Sequence, residues 1–131
     1  MSRTVSLKIF VPLAALTAAC SLTTNEHACT LIGCSDGLVV RVAGAPDGTT
    51  TIELRSPLRP TVVLTCAGAD HCAGGVQFEN ETPANATITV TSGARTLTVV
   101  AEPAYTTSRP NGPDCEPECR QAVVMVTLPA A

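Results

Sequence analysis

The chain has 131 residues, with eleven acids against eight bases and a formal charge of −3. That length is one domain, and the acidic balance excludes nucleic acid as a partner. Aromatic residues make up 2% of the chain, tryptophan is missing, and threonine, valine and alanine abound, a composition of pleated, half-buried strands.

The first segment is a basic start, Arg3 and Lys8, followed by an apolar run from Ile9 to Ala19. The run is about half of the ~20 residues a spanning helix needs, so a retained transmembrane helix is not expected. Small residues then lead to a cysteine, Leu16-Thr17-Ala18-Ala19-Cys20, the build of an export signal. These five residues resemble the lipobox of bacterial lipoproteins, with Thr17 where that motif usually has leucine. The resemblance implies that residues 1–19 are a signal peptide and that Cys20 is lipidated and becomes the new N-terminus. Acyl chains such as palmitate, at ~0.8 kcal/mol per buried CH₂, make such an anchor effectively permanent. It also implies a membrane location in a bacterial cell envelope. Ser21 in place of an aspartate implies sorting to the outer membrane where the organism has one. Residues 20–28 are then the lipidated cysteine and a short polar tether, whose eight residues after Cys20 reach at most ~29 Å.

Residues 29–131 are expected to form the folded domain. Without residues 1–19 the chain keeps six arginines (41, 55, 59, 95, 109 and 120) against all eleven acids. From residue 38 hydrophobicity alternates with period two. Strands are expected at residues 38–42 (LVVRV), 49–54 (TTTIEL), 61–66 (TVVLTC), 76–79 (VQFE), 86–92 (ATITVTS), 95–101 (RTLTVVA) and 122–128 (AVVMVTL). Gly/Pro clusters at 44–48 and 56–60 read as turns, and 67–75, 80–85 and 103–117 as loops. Only Gly93 and Ala94 separate two of the strands, the strongest hairpin signal in the chain. Seven short strands without an amphipathic helix predict an all-β, two-layer antiparallel sandwich, immunoglobulin-like or transthyretin-like. Its inward residues are expected to be Val40, Ile52, Leu54, Val62, Leu64, Ile88, Val90, Leu97, Val99, and Val124 or Met125.

Cysteine parity fits this reading. Seven is odd, and assigning Cys20 to a lipid leaves Cys29, Cys34, Cys66, Cys72, Cys115 and Cys119, which can all pair in an oxidising compartment. Cys66 and Cys72 flank a glycine-rich loop and are expected to close it. The other four sit at matching distances before the first and last strands. In an immunoglobulin-like sandwich those strands run side by side, so Cys34–Cys119 and Cys29–Cys115 bridges are one solution. Local closure, Cys29–Cys34 with Cys115–Cys119, is the other.

Catalytic signals are weak. Ser35-Asp36-Gly37 reads as a tight turn rather than a nucleophile beside an acid, and His71 beside Asp70 has no activated nucleophile to serve. Asp114, Glu116 and Glu118 read as solvated loop acids rather than a calcium site. The sequons at Asn80 and Asn85 carry no expected modification in a bacterial lipoprotein. His27 and His71 lie near cysteines, but Cys66-x₅-Cys72 is outside structural-zinc spacing. No metal, cofactor or enzymatic activity is expected. Tyr105 is expected half-buried with its hydroxyl on backbone.

The stretches ACTLIGCSDGLVVRV (28–42) and RPNGPDCEPECRQAVVMVTL (109–128) resemble a group of small bacterial lipoproteins with no assigned activity. The resemblance covers about a quarter of the chain and implies a disulfide-stapled β-sandwich at the envelope. The function expected is a membrane-anchored, non-catalytic binding or structural module, meeting the membrane through its lipid and envelope proteins through loops at one end. The alternative is an inhibitor of a secreted enzyme such as a protease, with residues 103–117 as the presenting loop.

Overall fold

The computed structural model describes residues 28–44 and 46–131; the expected signal peptide, Cys20 and nearly all of the tether lie outside them. Eight strands and one short helix follow in order: β1 (Gly37–Ala43), β2 (Thr49–Arg55), β3 (Val62–Ala67), α1 (Gly68–Gly74), β4 (Val76–Glu79), β5 (Ala86–Ser92), β6 (Arg95–Ala101), β7 (Thr106–Ser108) and β8 (Cys119–Thr127). They form two four-stranded sheets, β4-β1-β8-β7 and β3-β2-β5-β6. The architecture is therefore an all-β sandwich of two sheets. Every neighbouring pair is antiparallel except β1 with β8, which run parallel with Leu38 opposite Ala122 and Val42 opposite Val126.

Alternation explains the layers. Leu38, Val40 and Val42 of β1, Ile52 and Leu54 of β2, Ile88 and Val90 of β5, and Ala122 and Val126 of β8 all point into one core, joined by Phe78. Each fully buried aliphatic side chain there contributes roughly 1.5–3 kcal/mol. Val62, Leu64, Leu97, Val99 and Val124 pack against that core only partly buried. The first four stand on outer strands of their sheet, where one flank is open. Of the two candidates on the last strand, Val124 faces inward and Met125 is 58% exposed. Opposite faces of β2, β5 and β6 carry threonines, with Thr89 bonded to Thr98 at 3.0 Å and Thr91 to Thr96 at 3.3 Å across the hairpin.

Beyond one-residue shifts at the ends of β1, β2 and β3, three details differ from the expected elements. Residues 68–74 form α1 rather than a loop, two short turns closed beneath by Cys66–Cys72. The long proline-rich segment holds an extra strand, β7, so the strands number eight. β8 begins three residues before the expected strand, at Cys119. The β5–β6 hairpin matches the expected bounds, because Gly93 at φ 60° supplies the conformation its two-residue turn needs.

Among the described residues three disulfides are present: Cys29–Cys115, Cys34–Cys119 and Cys66–Cys72. The long-range alternative is thus the one the fold contains. Parallel β1 and β8 set Gly37 opposite Gln121, which brings the residues just before both strands into one place.

Candidate functional site

The register divides the loops between two ends. The distal end holds residues 44 and 46–48, α1 and the β5–β6 turn, tied by a Gly68 N–H bond to the Gly48 carbonyl. The proximal end gathers the N-terminal segment 28–36, the β2–β3 turn, the β4–β5 loop, and the loops flanking β7. Both long-range disulfides lie there.

Asn111 is the hub of the proximal end. Its amide nitrogen donates to the Ile32 carbonyl at 2.9 Å and to the Glu116 carbonyl at 2.7 Å. Its oxygen accepts from the Ile32 N–H at 2.9 Å and the Thr30 hydroxyl at 2.6 Å. One side chain therefore couples two segments about 80 residues apart, between the two bridges. Arg109 adds bonds to the Pro113 carbonyl at 2.6 Å and to the Glu118 carboxylate. The loop 109–118 is cross-braced in this way, and it holds Leu31, fully exposed, and Ile32, 55% exposed, on the outside of the molecule.

The suspected Ser35-Asp36-Gly37 group is structural. Asp36 Oδ1 accepts from the Arg120 N–H at 2.7 Å, and its carbonyl accepts from the Asn80 N–H at 2.9 Å. Ser35 receives the amides of Gln77 and Gln121 on its hydroxyl and carbonyl oxygens. Gly37 is required by close approach: a Cβ there would stand 2.5 Å from the Phe78 carbonyl oxygen. These bonds seat the first strand between β4 and β8.

Between the β2–β3 turn and the β4–β5 loop lies a cavity of about 260 Å³, lined by Ser56, Pro57, Arg59, Glu81, Thr82 and Asn85 among others. It runs into a shallower cleft that shares Ser56, Pro57 and Asn85 and reaches Val100. Arg59 and Glu81 meet at 2.8 Å across the cavity, and the Glu81 carboxylate pushes the Arg59 guanidinium pKa upward. Beneath it, the half-buried Tyr105 hydroxyl donates to the Pro83 carbonyl at 2.8 Å, and Arg120 lies over its ring at 5.0 Å. Burial pushes the Tyr105 pKa up, with Arg120 pulling against it.

His71 is exposed on α1 at the distal end, far from the proximal carboxylates. Asp114, Glu116 and Glu118 stand in the braced loop, where Glu118 is paired with Arg109. Among the described residues, no group of three or more histidine, cysteine, aspartate or glutamate side chains is placed to hold a metal ion. Asn111 and the Arg59–Glu81 pair escaped the sequence reading. The PNGP run marks a turn, but nothing in it says that the asparagine reaches the N-terminal segment. No protein-family model, curated protein or solved structure matches this chain.

Proposed function

We propose that this chain is a lipid-anchored lipoprotein of a bacterial cell envelope, which holds or binds an envelope partner without catalysing a reaction. The observation that carries the reading is the lipobox-like run ending at Cys20, eight residues ahead of the proximal end and its two bridges. The other six cysteines pair among themselves, so no bridge requires Cys20. A short tether into a braced end would keep the domain against the lipid surface, with Leu31 and Ile32 on the side that meets it. The cavity beside Arg59 and Glu81 is a recess of a size to receive a partner's side chain.

The test is acylation in a bacterial host. Wild-type chain should incorporate a labelled palmitate analogue and sediment with membranes, and Cys20→Ser should do neither. Wild-type protein that stays soluble and unlabelled would overturn the proposal.

The inhibitor reading draws on one observation, the braced loop 109–118, since rigid loops suit the blocking of an active site. Inhibition of a secreted protease, lost in Asn111→Ala, would support it over a purely structural role.

A further inference from the structure

Among the described residues four strands have an open flank, and three of them are short or sheltered at one end. β4 has four residues and β7 three. The distal end of β3 is covered by α1, which is bonded to it through Cys66–Cys72. β6 is different: seven residues, no proline, and Arg95 as its sole charge. Arg95 is turned away from the flank, donating to the Gly44 and Pro129 carbonyls at 2.7 and 3.2 Å. Folded domains usually blunt such edges with charge, proline or a cover.

Its hydrogen-bonding groups can be placed from the hairpin. Ser92 and Arg95 close a two-residue turn and form a bonded pair, and alternation makes Val90–Leu97, Ile88–Val99 and Ala86–Ala101 bonded pairs too. Thr96, Thr98 and Val100 therefore aim their backbone N–H and C=O groups at the open flank. On the inner face, Leu97 and Val99 remain only partly buried, because the facing strand β7 ends after three residues. On the outer face Val100 is 79% exposed.

We propose that β6 is a self-pairing edge through which two copies of this chain join antiparallel, with the twofold axis at Thr98. This register sets Thr98 opposite the partner copy's Thr98, and Thr96 opposite Val100. All three outward-facing backbone positions then bond in both directions, as a narrow antiparallel pair requires. Inside, Leu97 of each copy meets Val99 of the other, closing the half-covered flank. No like charges face each other. The result is an isologous interface that makes one continuous eight-stranded sheet with a threonine-covered outer face.

The experiment uses the Cys20→Ser protein with its three bridges intact, adding one cysteine at a time. A directly opposed bonded pair has Cα atoms ~5.5 Å apart, inside the 4.4–6.8 Å a disulfide spans. Under mild oxidation Thr98→Cys should become predominantly a covalent dimer. Thr96→Cys and Val100→Cys should each stay uncrosslinked alone and crosslink when mixed. Thr98→Lys should sediment as a monomer at concentrations where the parent is dimeric, with unchanged circular dichroism. A parent that is monomeric at every concentration, or equal crosslinking at all three positions, would overturn the proposal. Neither outcome touches the acylation of Cys20, which is tested separately.

Discussion

Removing the long-range bridges one at a time gives a quantitative test of the proximal end. Cys29–Cys115 and Cys34–Cys119 close loops of 86 and 85 residues. In the loop-entropy model a first crosslink of that span stabilises by about 4.6 kcal/mol. Once one bridge is in place, the second closes only the small ring made by residues 29–34 and 115–119. For about ten residues the same formula gives about 2.7 kcal/mol. Replacing Cys34 and Cys119 by alanine should therefore cost about 2.7 kcal/mol, and replacing Cys29 and Cys115 about the same. Removing all four should cost about 7 kcal/mol, enough to unfold a domain of ordinary stability. The excess over simple addition is about 2 kcal/mol, a coupling readily seen in a double-mutant cycle. Urea denaturation of each variant measures it, with m rising as the unfolded chain expands. If the two bridges prove additive, or if losing either alone costs the full 4–5 kcal/mol, the nested-loop reasoning is wrong.

Four further outcomes are expected. Thr50 is fully buried, and its hydroxyl has no hydrogen-bond partner among the described residues; Thr50→Val should raise stability by about 1 kcal/mol in a thermal melt, since it removes an unpaired polar group. Gly37→Ala should destabilise by about 1–3 kcal/mol, because its methyl must displace the Phe78 carbonyl; a melt equal to wild type would contradict the close approach. Asn111→Ala should lower stability by about 1–2 kcal/mol and expose residues 30–33 to proteolytic nicking, read by peptide mass. The chain's single tyrosine, Tyr105, makes an ultraviolet titration unambiguous. Its pKa is raised in the fold above the ordinary 10.0, so the folded state holds the proton longer than the unfolded one. Its contribution is intact below about pH 10 and is lost as pH rises through the folded value. Arg120→Ala should move that midpoint further up, since Arg120 pulls it down.

The strands were legible because burial on one side of a pleated sheet writes period two into the sequence. Ile88/Val90 against Thr87/Thr89 and Leu97/Val99 against Thr96/Thr98 leave little choice, and Gly93 fixes the turn between them. What escaped lacks a period. α1 has seven residues, too few for a helical repeat, and a disulfide rather than an apolar face fastens it. β7 is exposed throughout and borrows its register from β8. The last strand's inward residue stayed ambiguous because Val123, Val124, Met125 and Val126 are all apolar. The proximal hub was illegible for a different reason. Asn111 meets Ile32 only because β1 and β8 lie side by side, a fact of topology rather than local pattern.

We propose that this domain works outside the cytosol, oxidised and held to a membrane by Cys20. Intact mass and peptide mapping of protein purified from bacterial membranes test it most directly. The expected result is a chain beginning at an acylated Cys20 with its other six cysteines in three bridges. An unmodified chain that still carries Met1 and titrates for free thiols would contradict it.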